Sequence, residues 1–324
     1  MNCFATERIK VSTDTCAIQG TVRWAPLKSI WTLFLLGLTL IAAPAYASWS
    51  AFLLFLGTSA VTLCLGHSLG MHRLLIHRSF ETYRPIEYLF VYLGTLVGMA
   101  GPIGMIKTHE LRDWAQRQRS CHDLFGHRRS FFWDAWWQMH CQVKLENPPA
   151  LHLESRVAND RFYHFLERTW MLQQLPWALL FFSLGGISWV VWGIAVRVTV
   201  SLTGHWMVGH FAHRGGHQGW RVDGAAVQGF NIKWLGLITF GECWHANHHA
   251  FPGSAKLGIE ARQSDPGWWV LSVMRRLGLA WNIIEPHHLS ERPALHRVPD
   301  NQHALKGASL PKQENPNCFS LPTE

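Results

Sequence analysis

Long uncharged apolar runs alternate with short basic and histidine-bearing stretches along this chain. The longest run extends from Ser29 to His72 without an Asp, Glu, Lys or Arg. A bilayer core takes about 20 helical residues per crossing. The run therefore predicts two crossings, roughly 30–47 and 50–67, with Pro44, Ser48 and Ser50 marking the turn. A second uncharged run, Tyr88 to Ile106, holds Gly94, Gly98, Gly101 and Gly104. Hydropathy alone would let it cross, but its glycines also suit a buried or interfacial helix. A third region runs from Thr169 to Val196 and, past Arg197, on to His213, with Gly185 and Gly186 near its middle. It is long enough for two more crossings. From about Ser290 the chain is polar and Pro-rich without periodicity, which predicts a disordered cytosolic tail over 290–324. There is no internal repeat and no coiled-coil heptad.

Composition agrees with a membrane protein. Of 324 residues, 48% are apolar and 15% charged, against roughly 25% charged in soluble domains. Such a chain is not disordered as a whole. Its seven scattered Cys make no disulfide framework. The net charge of +8 sits beside the apolar runs: Arg23 and Lys28 precede the first crossing, and Arg73, Arg78 and Arg84 follow the second. That pattern places both flanks in the cytosol and does not form the basic stripe of a nucleic-acid-binding protein. Residues 1–27 read as a cytosolic tail, followed by a membrane domain over 28–289.

The 20 His are the chemical signal, since imidazole is the commonest metal ligand. His72 and His77 follow the second crossing. Five residues turn an α-helix by about 500°, so the two do not share a face. They would serve two adjacent ions, or His77 would lie past the helix end. His245, His248 and His249 stand at i, i+3 and i+4, on one helix face, and Pro252 ends that helix. His205, His210 and His213 lie at the end of the last apolar run, where ionisable groups default to function. A fourth polar region holds Gln118, Arg119, Cys121 and His122, with His109, His127 and His140 nearby. Nitrogen-rich, Cys-poor ligation suits iron, copper or zinc, and the supply exceeds one zinc site, which suggests two metals.

The segments Gly70–Phe80, around His72-Arg73-Leu-Leu-Ile-His77, and Leu237–Pro252, around His245-Ala-Asn-His248-His249, resemble the membrane-bound fatty acid desaturases, in particular the stearoyl-CoA (acyl-CoA) desaturases. Asp265-Pro-Gly-Trp-Trp269 is similar to the segment after the last histidine box in bacterial members. The resemblance covers roughly 28–285. It implies an all-α integral membrane fold: four transmembrane helices, a cytosolic helical cap carrying a di-iron centre, and both termini cytosolic. It also implies that 88–106 does not cross, since a crossing there would separate 72–77 from 109–127. Transferred onto this chain, the family's first iron would take His72, His122, His213, His245 and His249, and its second would take His77 and His248. Gln118 and Cys121 stand where the family's middle box has two further His, and Gly209 where it has an Asn that holds a water. Cys121, Gln118, His109, His127 and His210 are thus the candidates to complete the second site. Glu242, Asp113, Asn247 and Asn231 are candidates to orient the ligands.

The activity implied is O2-dependent insertion of a double bond into a fatty acyl chain carried on CoA, a carrier protein or a lipid. O2 leaves as water. The chain has no GxGxxG fingerprint, no His-Pro-Gly-Gly haem motif and no CxxC pairs. Its electrons must come from a separate ferredoxin- or cytochrome-type donor meeting the cationic face. Two other readings stand beside this one: a lipid hydroxylase on the same scaffold, and a non-catalytic membrane protein holding a single metal.

Overall fold

A computed structural model describes residues 8–299; residues 1–7 and 300–324 lie outside the described part. The protein is mostly helical. Helix α1 (Pro26–Ala45) opens on a proline at its first turn, which suits a position whose N–H has no partner anyway. Helix α2 (Trp49–Val61) is capped by Ser48, whose Oγ accepts from Ala51 N at 3.3 Å. The predicted turn thus falls at the helix boundary. From Val61 the chain continues without a break into a π-helix, Thr62–Ile76. Helices α3 (Arg84–Thr95) and α4 (Pro102–Arg117) come next, then α5 (Phe131–His140), α6 (Ser155–Ala158) and α7 (Arg161–Thr169). Helix α8 (Gln174–Val190) runs through a second π-turn into α9 (Arg197–Ala212). Helices α10 (His245–Ala250) and α11 (Pro266–Arg276) complete the set.

Among the described residues, three helical stretches are long and apolar enough to cross a membrane: Pro26–Ala45, Trp49–Ile76 and Gln174–Ala212. Their outward faces carry Phe34, Ile41, Leu53, Leu179, Phe182 and Leu184, all exposed, as lipid-facing residues should be. The run 88–106 is not among them. It is divided between α3, which at 12 residues spans only about 18 Å, and the start of α4. The third stretch is interrupted inside α8 at Gly186, whose φ of 63° is left-handed. Only glycine takes that conformation cheaply. Phe181, before the break, packs onto Gly193, after it, so the helix folds back on itself there.

Helix α3 lies directly on the π-helix. A Cβ added to Gly66 would come within 2.4 Å of the Gly94 backbone nitrogen, and one on Gly70 within 2.6 Å of the Phe90 backbone. Of the glycines in the 88–106 run, Gly94 serves this contact, whereas Gly98 lies against Val198 and both Gly101 and Gly104 against Glu167.

Four two-stranded antiparallel ladders tie the polar regions together. Strand β1 (Ile9–Lys10) pairs with β5 (Ala150–Leu151), and β2 (Gly20–Trp24) with β4 (Cys141–Leu145). Strand β3 (Glu81–Thr82) pairs with β7 (Ala280–Trp281), and β6 (Trp220–Val222) with β8 (Leu295–Arg297). Both expected tails are partly structured as a result. At the N-terminus, residues 8–24 are held by β1 and β2 and by the buried Arg8. That side chain donates to Glu110 and Glu154 and to the carbonyls of Leu75 and Ile76 at the end of the π-helix. At the other end, residues 290–299 are held by β8 and by Arg292, which donates to His249 O at 3.1 Å.

Candidate metal centre

The π-helix sets the first part of the site. Its hydrogen bonds run from residue i to i+5, so residues five apart stack along one side. The N–H of His77 donates to His72 O at 3.0 Å, and the two imidazoles lie 4.7 Å apart between ring centroids. They share a side, which the α-helical reading did not allow. His109, on α4, and His248, on α10, come to the same place. Ligand atoms of His72, His77, His109 and His248 all lie within 4.8 Å of one another.

A second group forms beside it. His213, at the end of α9, and His245 and His249, on α10, also offer atoms within 4.8 Å of one another. His213 Nδ1 donates to Gly209 O at 2.7 Å, which fixes the ring and directs Nε2 outward. That nitrogen stands 2.9 Å from His245 Nε2 and 3.2 Å from His249 Nε2. Nitrogens on one ion at bond lengths near 2.1 Å fall roughly 3 Å apart, so this spacing is already that of a ligand set. Gln116 Nε2 also lies 3.2 Å from His213 Nε2. The adjacent residues His248 and His249 belong to different groups and join them.

The electrostatics favour neutral, ligating imidazole. Burial, reinforced by neighbouring imidazoles, pushes His77, His213, His245 and His248 well below the ordinary histidine pKa. Burial likewise brings His109 and His249 down to about 4. His77 Nε2, His109 Nδ1 and His248 Nδ1 are buried without a hydrogen-bond partner. An unsatisfied buried polar atom costs about 1–3 kcal/mol, and a metal ion is the partner that three converging lone pairs fit. The donor set therefore suits a late first-row metal such as iron.

The short helix α10 is locked by amides. Asn231 Oδ1 accepts from Ala246 N at 2.9 Å, and Asn231 Nδ2 donates to Asn247 Oδ1 at 3.2 Å. Asn247 Nδ2 in turn donates to Leu257 O and to Gln263 Oε1, each at 2.7 Å. Glu242 Oε2 lies 2.7 Å from His72 Nδ1, at an angle poor for a hydrogen bond. Its Oε1 accepts from Ser68 Oγ at 2.6 Å. Burial opposes ionisation of Glu242, but His72 and Arg73 outweigh it and hold the carboxyl well below the usual range.

The 118–122 segment is not brought to either group. Helix α4 ends at Arg117, and Gln118 turns to extended backbone, φ −68° and ψ 165°, so the residues after it leave the site. Gln118 Nε2 donates to Trp114 O. Cys121 is buried in an apolar cluster with Ile9, Trp114 and Phe125, and burial pushes its thiol up to about 11. His122 packs against Trp137, and its Nδ1 accepts from Leu124 N. His109 comes to the site instead, two to three helical turns earlier.

His127 and His210 form a third constellation, with Asp134. The carboxylate Oδ2 accepts from His127 Nδ1 at 2.9 Å, His210 Nδ1 at 2.7 Å and Trp206 Nε1 at 2.9 Å. Asp134 is fully buried. Burial opposes its ionisation, but these N–H donors outweigh it and hold its pKa well below the carboxylate range. The His127 ring stacks on His213 at 5.1 Å and 10°, so this network supports the second group from behind. Asp134 and Gln116 escaped the sequence reading. The signals were present: a lone acid in the aromatic stretch Phe131–His140, and the i, i+4, i+7 spacing of His109, Asp113 and Gln116 on one face of α4.

A scan against models of known protein families matches none. Individual relatives do match. The chain is 34% identical over 259 residues to an sn-1 stearoyl-lipid 9-desaturase of Anabaena variabilis, covering 78% of this chain and 92% of that protein. It is 33% identical over 256 residues to an acyl-CoA 5-desaturase of Anemone leveillei, covering 78% of this chain and 77% of the relative. A second sn-1 stearoyl-lipid 9-desaturase, from Synechocystis, is 31% identical over 273 residues, or 80% of this chain. With apolar helices of membrane-spanning length and two converging groups of buried imidazoles already in the fold, these likenesses establish that the chain belongs to the fatty acid desaturases, a family of oxidoreductases.

Proposed function

We propose that the chain inserts a double bond into a fatty acyl chain at a centre of two iron ions, using O2 and electrons from a separate protein donor. The observation that carries this reading is the meeting of the two histidine groups at His248 and His249. Seven imidazoles are too many for one ion. One ion is assigned to His72, His77, His109 and His248, the other to His213, His245 and His249. Iron bound there supplies the O2-derived oxidising power that an unactivated C–H bond requires and that no side chain provides.

The chain's own residues then have definite tasks. Gly209 O holds His213 by Nδ1 and so presents Nε2. Asn231 and Asn247 fix the helix that carries three of the seven ligands. The buried walls keep the imidazoles neutral and keep bulk water away, which favours metal binding.

The same reading favours four crossings. His77 comes just after the second apolar stretch and His213 just after the third, yet both belong to joined groups. The chain between them must cross an even number of times. The fold-back at Gly186 supports two crossings within Gln174–Ala212. Termini and metal centre would then lie on one side, the cytosolic side by the Arg and Lys flanks.

The relatives from Anabaena and Anemone act on stearoyl-lipid and acyl-CoA, and the substrate proposed here is an acyl chain on one of these carriers. The test is expression in a host lacking the activity, with mass analysis of its fatty acids. A product lighter by two hydrogens supports the proposal. A product heavier by one oxygen would mean hydroxylation, and no product with a loaded centre would overturn the enzymatic reading.

A further inference from the structure

We infer that Asp113, beside the junction of the two histidine groups, supplies a carboxylate ligand to the metal centre, so that the centre is a mixed histidine–carboxylate site. The inference rests on the two-metal reading of the function.

Helix α4 carries His109, Asp113 and Gln116 on one face. His109 belongs to the first histidine group, and Gln116 touches His213 of the second. Asp113 stands between them. It lines a cavity of about 20 Å³ together with Gln116, Arg117, His248, His249 and Pro252. His248 and His249 are the two residues at which the groups join, so the cavity lies at the junction. A space of that size holds about one water or one ion.

What singles out Asp113 is its unmet charge. Its carboxylate is 16% exposed. The nearest imidazole nitrogen, His109 Nδ1, is 3.5 Å from Oδ1, too far for a hydrogen bond. That nitrogen is among the buried atoms without a partner. Arg117 is near, but its Nε donates to the backbone oxygen of Asp113 and not to the carboxylate. Among the described residues no Lys or Arg forms an ion pair with Asp113. The other acids around the site differ. Asp134 accepts from three ring N–H groups. Asp265 takes Arg73 and the backbone N–H groups of Leu257, Gly258 and Trp268. Glu242 takes Ser68. A largely buried carboxylate needs a cation, and faced with neutral imidazoles the cation it fits is a metal. Carboxylate oxygen is a hard donor that iron accepts alongside imidazole.

The experiment uses the full chain in detergent, loaded anaerobically with Fe(II), as wild type and as Asp113→Asn, Asp113→Ala and Asp113→His. Iron per chain and the Mössbauer spectrum are read, with circular dichroism of each variant as the check on folding. The expected result is two irons in the wild type, about one in Asp113→Ala, and two in Asp113→His, where imidazole replaces the lost ligand. Asp113→Asn should lose iron or shift its quadrupole splitting. Unchanged iron and an unchanged spectrum in folded Asp113→Asn and Asp113→Ala would overturn the assignment. One iron in the wild type and none in Asp113→Ala would keep Asp113 as a ligand and sink the two-metal reading. A folded wild type that takes up no iron overturns both.

Discussion

His77 sits one π-turn after His72: its N–H donates to the His72 carbonyl at 3.0 Å, and the two rings stand 4.7 Å apart. On an α-helix a five-residue step would leave the side chains far apart in azimuth. Along Thr62–Ile76 the i→i+5 pattern brings them together. His67, five residues earlier, continues the column, its ring parallel to His72 at 6.4 Å and 13°. The π-helix is in close backbone contact with α3. Gly70→Ala would force a Cβ to within 2.6 Å of Phe90 backbone atoms. Overpacking of this kind costs about 1–3 kcal/mol. The variant should lower the thermal midpoint and reduce iron per chain. Full iron with an unchanged midpoint would mean that α3 yields easily and that this contact does not hold the ligands.

The position of the middle ligand can be tested directly. His109→Ala should lower iron from two per chain to about one, whereas His122→Ala and Cys121→Ala should leave it unchanged. The reason is the end of α4 at Arg117, which sends 118–122 away from both groups. Loss of iron in His122→Ala or Cys121→Ala, with His109→Ala unaffected, would reverse the assignment.

Asp134 should be a stability hot spot. Replacing it with Ala leaves three ring N–H groups without their acceptor. Leaving a buried donor unpaired costs about 1–3 kcal/mol. Asp134→Asn keeps an acceptor oxygen and should cost less. Chemical denaturation in detergent would measure the difference. Equal stability of wild type and Asp134→Ala would show that water replaces the carboxylate at no cost.

Acid should destabilise the metal-free protein within a defined window. Burial lowers His109, His127 and His249 from 6.5 to about 4. Between those values the unfolded chain binds more protons than the folded one, so stability falls as pH falls. Each such group contributes at most about 1.4 kcal/mol per pH unit. The thermal midpoint of metal-free protein should drop from pH 6.5 towards pH 4. Bound metal should blunt the drop, because ligation holds the imidazoles neutral. A flat midpoint across that range would contradict the burial of these rings.

Much of the protein was legible in the chain itself. Hydropathy located the apolar stretches, and Ser48 marked the turn between the first two, because a bilayer admits only long runs of uncharged helix. The i, i+3, i+4 spacing of His245, His248 and His249 predicted a shared helix, and α10 carries all three, divided between the two histidine groups. The boxes around His72 and His245 pointed to the desaturases, as the relatives then showed.

Other features needed the three-dimensional arrangement. No propensity distinguishes a π-helix from an α-helix over Thr62–Ile76; backbone contact through Gly66 and Gly70 accompanies it, and it puts His72 and His77 on a shared side. Strand pairing gave structure to polar residues at both ends that carry no periodicity of their own. The choice of His109 over the 118–122 segment also lay beyond local pattern. Both stretches carry ligand-type side chains, and only the end of α4 at Arg117 decides which of them faces α10. Sequence supplies the imidazoles and carboxylates, but which lone pairs converge depends on where helices distant in the chain come to rest.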